Sequence, residues 1–155
     1  MAGAFPIARS KFETLGIRSI QNTIISKSLS GKKLSRQIQN QRFGFTASII
    51  TAKRSDVYGE LMAFIIKQRS SKENFTIIPP ELENARGNVS GTVLVNGVQA
   101  VGDTTITVDG MTGTLKAGDF VKFAHDKVYM VVADVTADGS NEATLTIEPP
   151  LITAL

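Results

Sequence analysis

Apolar positions alternate, then recur at helical spacing, then cluster again between residues 41 and 80, QRFGFTASIITAKRSDVYGELMAFIIKQRSSKENFTIIPP. The pattern predicts strand, helix, strand. In the first strand Phe43, Phe45 and Ala47 alternate with Arg42, Gly44 and Thr46, which makes one face apolar. The helix is expected from about Ser55 to about Arg69, with Ser55 as cap and Asp56 in the first turn. Lys67 and Arg69 fall near its negative end. Val57, Leu61, Phe64, Ile65 and Gln68 mark one stripe, apolar except at its last position. Ile77 and Ile78 enter a second strand that Pro79-Pro80 stops.

Before this unit the pattern is weaker. Phe5-Pro6-Ile7 and Phe12 read as an extended arm with a few anchors. Ile17, Ile20, Ile24 and Ile25 fit a hairpin turning at Ser28 to Lys33, and their spacing also fits a helix over 17–27. Ser, Thr, Asn and β-branched residues favour the strand reading.

After Pro80 the stretch ELENARGNVSG is polar and glycine-bearing, and reads as a linker or domain boundary. From Thr92 to Pro149 short apolar runs alternate with turn dipeptides, Asn96-Gly97, Asp109-Gly110 and Asp138-Gly139. Five strands are expected in TVLVNG, VGDTTITVDG, TGTLKAGDFVKFA, KVYMVVADV and EATLTIEPP, enough for a small antiparallel barrel or sandwich. The fold class is therefore α+β, mainly β. The division expected is a core over 1–86, an inserted β-module over 87–150, and a tail, 151–155, that could return as a strand to the first module.

Composition narrows the classes. A hydrophobic fraction of 42% with 20% charged residues suits a folded domain. No apolar run approaches the roughly 20 residues that span a bilayer. The first residues lack the apolar core of a secretory signal. The chain has no cysteine, which removes disulfides, thiol catalysis and thiolate metal sites. Charge is divided unevenly: residues 1–72 hold 13 Lys and Arg against 3 Asp and Glu, and residues 73–155 hold 4 against 11. Such a division fits a nucleic-acid surface beside an acidic module, or a basic face that meets the acidic face of a neighbouring copy. Two domains of different composition with solvated charges explain it too.

No reactive constellation follows from the residues. SGKK has one glycine, and Lys33 stands where a phosphate loop needs a hydroxyl. His125 is the single histidine and falls at an expected hairpin tip. Asp109, Asp119, Asp126, Asp134 and Asp138 do not form a calcium loop, and Asp103 and Asp109 lie beside turn glycines. Ser28, Ser30 and Ser35 have no histidine near them in sequence. Neither an enzyme, a metal nor a cofactor is expected. Lys27, Lys32, Lys33, Arg36 and Arg42, followed by Phe43 and Phe45, could track phosphates and stack bases. The phenylalanines are expected to face the core instead.

The segments SLSGKK, QRFGFTA, AFIIKQR, ENFTIIPP, GNVSGTVLVNG, LKAGDFVKFA, KVYMVVADV and TIEPPL carry a family likeness. Over nearly its whole length the chain resembles small tail proteins of tailed bacteriophages, of the distal-tail or baseplate-hub type. The resemblance implies a tail-tube-like β-sandwich or split barrel with a flanking helix. It implies a ring, usually hexameric, that joins the tail tube to the hub and the receptor-binding proteins. The place implied is the virion tail tip, after assembly in the bacterial cytoplasm. On that reading Lys32, Lys33, Arg36, Lys53 and Arg54 are the basic side of subunit contacts, and Phe5 and Ile7 form an arm laid on another subunit. Relatives continue with further strands after the PPL segment, so sheet closure is expected from a neighbour. The FAHDKVY loop is shorter than its counterpart in the family. A head–tail connector or other DNA-contacting virion protein is the alternative, and glycan binding by residues 88–150 is a third reading.

Overall fold

The computed structural model describes residues 4–6, 12–38, 41–50, 53, 55, 58–70 and 72–155. Among them are eleven strands and one helix, a mainly β arrangement of the α+β class. The first four strands are β1 (Phe12–Ile20), β2 (Thr23–Lys27), β3 (Lys33–Gln37) and β4 (Arg42–Ile49), and the helix α1 (Gly59–Lys67) follows. The later strands are β5 (Leu94–Val95), β6 (Thr105–Asp109), β7 (Thr114–Leu115), β8 (Phe120–Lys122), β9 (Val128–Val131), β10 (Val135–Thr136) and β11 (Ala143–Glu148).

Two compact units divide the chain, each built from two segments. One holds Met1–Arg18 with Gly44–Glu83, and the other holds Ser19–Phe43 with Asn84–Leu155. The division is thus not the linear one expected. The β2–β3 hairpin groups with the later β-module, not with the residues around it.

The second unit carries the core. A five-stranded sheet in the order β5-β6-β11-β9-β8 curls into half a barrel, and its strands pair antiparallel. Alternation decides its faces. Ile106 and Val108 of β6, Leu145 and Ile147 of β11, and Tyr129 and Val131 of β9 are all buried, while Thr105 and Thr144 point out. Met111, Leu115, Ala143 and Leu151 also belong to the core cluster. Each such side chain contributes about 1.5–3 kcal/mol by leaving water.

Where five strands were expected the module has seven. TGTLKAGDFVKFA breaks into β7 and β8, and KVYMVVADV breaks into β9 and β10. Two aspartates cause the breaks by taking backbone donors. Asp119 Oδ2 accepts from Lys116 N at 2.9 Å, and Asp134 Oδ1 accepts from Ala117 N at 2.9 Å. The freed ends, β7 and β10, pair with each other.

The polar stretch before the module holds the boundary between the two units, at Glu83 and Asn84, but it is not a loose linker. Arg86 N donates to Asp119 Oδ1 at 2.8 Å, Arg86 Nη1 to the Ala117 carbonyl at 2.8 Å, and Thr114 N to Asn88 Oδ1 at 2.9 Å. Gly87 passes so close that an added Cβ would lie 1.9 Å from the Thr114 carbonyl oxygen. The tail does not return to the first unit as a strand. Leu155 and Gln99 exchange backbone hydrogen bonds at 3.0 and 3.1 Å, and Leu151 N donates to Asp103 O, so the tail lies on the module.

The first unit departs further from expectation. Its strand starts early: Phe12–Ile20 is a nine-residue strand, not the end of an irregular arm, and it pairs with β4. The helix is shorter than 55–69. Ser55 is not its cap; it lies in a wider turn before the helix, and Tyr58 at the cap position makes no side-chain bond. Arg69 and Ser70 take left-handed backbone conformations, which ends it. Asp56 and Val57 lie outside the described residues. Ile77 and Ile78 form no strand. A single parallel bridge joins Thr76 to Ala4, and Pro80 opens a short 3-10 turn, Pro80–Leu82.

Candidate functional site

Before Ile106, no Ala, Val, Ile, Leu, Met, Phe or Tyr among the described residues is buried. The first unit is held instead by rings. Phe5 packs on Phe12, Phe64 and Phe75 with centroids 6.0, 5.4 and 6.0 Å away, and Phe64 meets Phe75 edge-on at 5.2 Å. Phe5 N donates to Thr76 O at 2.9 Å. The predicted stripe of α1 is only partly covered: Leu61 and Phe64 are intermediate, whereas Ile65 is 50% exposed; Ile66, beside the stripe, is 70% exposed. Ile78 is 73% exposed. Gln68, the polar member of the stripe, is buried, and neither of its amide atoms has a partner among the described residues.

The hairpin is exposed on both faces. Its register pairs Thr23 with Gln37, Ile24 with Arg36, Ile25 with Ser35, Ser26 with Leu34 and Lys27 with Lys33. Strand alternation then puts Ile24 and Leu34 on one face and Ile25 on the other, each more than half exposed. The turn runs through Ser28 to Lys32, one residue shorter than the expected Ser28 to Lys33 because Lys33 already belongs to β3, and is closed by Gly31 N to Ser28 O at 2.9 Å and Ser28 N to Lys32 O at 3.0 Å. Lys27 and Lys33 therefore stand side by side on one face, next to Lys32 in the turn. Like charges in register cost stability in an isolated ribbon.

Of the residues expected at contacts, Lys32, Lys33 and Arg36 share this hairpin. Lys53 is exposed outside any element, and Phe5 sits within the ring cluster of its own unit. Ile7 and Arg54 lie outside the described residues. The two phenylalanines of the possible base-stacking surface part company. Phe43 packs edge-on against Phe120 at 5.0 Å, and Phe45 is partly exposed.

His125 is less exposed than a hairpin-tip residue should be. Its Nδ1 accepts from Lys127 N at 3.3 Å, and its Nε2 lies 3.4 Å from the Tyr129 hydroxyl, which accepts from Ile152 N. Asp119 was one of several turn aspartates in the sequence. The structure makes it the buried clasp between Arg86 and Lys116. No local signal marked it, because Arg86 lies 33 residues away. Asp134 is exposed, and its carboxyl is held below the usual range first by the hydrogen bond from Lys116 and then by that from Ala117. Among the described residues no group of three His, Cys, Asp or Glu side chains is placed to share a metal ion. No described helix is long and apolar enough to cross a membrane.

No protein-family model matches the chain, and no curated protein matches it significantly.

Proposed function

We propose that this chain is a non-enzymatic virion component, a subunit of an oligomeric ring at the distal end of a phage tail. The ring joins the tail tube to the hub and the receptor-binding proteins. One observation carries the assembly reading: the described part of the chain before Ile106 buries no aliphatic or aromatic side chain outside proline, while the later module has a complete core. Exposed isoleucines on a helix, a hairpin and a loop are the surface of a subunit that neighbours finish. Two of the three two-stranded sheets, β1-β4 and β2-β3, gain no further strand among the described residues and ask for the same cover. A closed ring meets these demands with one repeated interface, and the basic first half against the acidic second would set its register. The tail location, the hexameric order and the tube-like sandwich or split barrel rest on the resemblance in QRFGFTA, AFIIKQR and LKAGDFVKFA.

Light scattering behind a sizing column, with electron microscopy of the same fraction, tests the reading. Rings of one order are expected. A monomer at every accessible concentration would overturn it.

A second reading has its own observation. Lys27, Lys32 and Lys33 gather at the exposed hairpin end, where a polyanion would relieve their repulsion. A head–tail connector or other DNA-contacting protein would then bind duplex DNA with a steep salt dependence. Changing the three lysines to alanine removes that binding. Absence of any shift at low salt would discard this alternative.

A further inference from the structure

Asn96-Gly97 is the single Asn-Gly pair in the chain, and it follows β5, the two-residue edge strand of the five-stranded sheet. Both residues are exposed. The Asn96 backbone is held: its N donates to Thr107 O at 2.9 Å, and its carbonyl accepts from Gln99 Nε2 at 3.0 Å. The Gly97 amide makes no hydrogen bond among the described residues, and nothing lies within 4 Å of a Cβ built on it. The Asn96 side chain ties this edge to the residue before β11, since Nδ2 donates to Glu142 Oε1 at 3.2 Å. The two Asp-Gly turns are built differently. The Gly110 amide donates to Asp109 Oδ1, and Asp138 Oδ1 accepts from the amides of Ser140 and Glu142 at 2.8 and 2.9 Å. In both, the carboxylate is already engaged by the turn.

We infer that Asn96 is a self-modification site, at which Gly97 converts the side-chain amide to a carboxylate and so unfastens β5. The amide nitrogen of Gly97 attacks Asn96 Cγ. A C–N bond forms, the bond from Cγ to Nδ2 breaks, and Nδ2 leaves as ammonia with the proton given up by Gly97. The intermediate is a cyclic imide. Water then opens either of its carbonyls. One opening leaves an aspartate; the other leaves an isoaspartate, in which the chain runs through the side-chain carbons. The net reaction consumes water and releases ammonia, with no change of oxidation state. Glycine lets its nitrogen reach Cγ because no Cβ blocks the approach. An amide that no acceptor holds is also free to turn. Either product has lost the Nδ2 donor and sets a carboxylate against that of Glu142. Isoaspartate further lengthens the backbone where Asn96 N meets Thr107 O. β5 pairs with β6 through two residue pairs, Leu94 with Asp109 and Val95 with Val108, so the loss falls on a short strand. The inference is independent of the ring reading.

The full-length chain, incubated folded at mildly alkaline pH in heavy-oxygen water and then digested, tests the chemistry by mass spectrometry. Asn96 is expected to gain the mass of amide-to-acid conversion, with heavy oxygen in the new carboxylate, before any of the other six asparagines does. Asn96→Asp supplies the charge without the longer backbone. Hydrogen exchange is read at Leu94, whose amide faces β6 as that of Asn96 does two residues on. Exchange there should quicken about twofold to fivefold at low salt, the range of a like-charge pair across a sheet. Glu142→Gln in the same chain should restore it, because the glutamine amide donates to the new carboxylate. Conversion of Asn96 in the urea-unfolded chain but not in the folded one would overturn the inference. So would unchanged exchange in Asn96→Asp, or quickened exchange that Glu142→Gln leaves in place.

Discussion

Lys33 stands directly across the hairpin from Lys27, on the same face of a two-stranded ribbon. An isolated chain gains nothing from this pair. Lys33→Glu should therefore stabilise the free subunit by about 0.2–1 kcal/mol, the range of a cross-strand charge pair. If the proposed ring forms through this face, the same change should weaken assembly, because the basic face is lost. Urea unfolding of the monomer and light scattering of the assembly read the two effects separately. Parallel changes in both would contradict the role given to the hairpin.

Gln68 should be a burden on the free chain. Its amide is buried with no partner among the described residues, which costs about 1–3 kcal/mol. Gln68→Met, nearly the same length and apolar, is expected to slow hydrogen exchange across α1 in the monomer. Faster exchange would mean that the amide is satisfied in a state that the free chain visits.

Asp119→Ala leaves the amides of Arg86 and Lys116 without their acceptor. A loss of about 2–4 kcal/mol is expected in denaturant unfolding of the second unit. Asp119→Asn keeps one oxygen and should cost about half as much. Similar losses for the two variants would show that the carboxylate charge matters more than the two backbone bonds.

Two glycines should respond differently to alanine. At Gly97, φ is +74° and the space beside it is open, so Gly97→Ala should cost only about 1 kcal/mol. At Gly87 the added Cβ meets the Thr114 carbonyl, and a loss of about 3 kcal/mol is expected. Thermal unfolding of both variants gives the comparison, and equal costs would contradict the close approach of Gly87 to β7.

Asp134 should titrate below the ordinary carboxylate range because Lys116 and Ala117 donate to it. Its folded value lies below its unfolded one. Its contribution to stability is therefore present above the ordinary range and lost as pH falls through the lowered value. Lys116→Met should move the carboxyl carbon titration, followed by NMR, back upward. No movement would assign the shift to the backbone bond alone.

Much of the second unit was legible in its sequence, because its signals are local. Asn96-Gly97 and Asp109-Gly110 mark turns, and Ile106 and Val108 alternate with threonines on a strand that is buried on one face. Ser30-Gly31 likewise marks the hairpin turn. The breaks at Asp119 and Asp134 were not legible, since each depends on a partner brought close only by folding. Ile77 and Ile78 look like a strand by propensity, yet strand pairing needs a partner edge, and only Thr76 finds one. Ser55 looks like a cap, but α1 begins only at Gly59, with Tyr58 at the cap position. Of the candidate site, the basic cluster at the hairpin could be read from Lys27, Lys32 and Lys33.

The interleaving of the two units has a consequence for synthesis on the ribosome. The hairpin segment Ser19–Phe43 belongs with Asn84–Leu155, and all of Gly44–Glu83 is made between them. At roughly 5–20 residues per second, several seconds pass before the hairpin's own unit begins to emerge. The exposed isoleucines thus precede the core by a long interval. On the proposed ring reading, a nascent chain of this kind would present its subunit-contact surface before the β-module can fold.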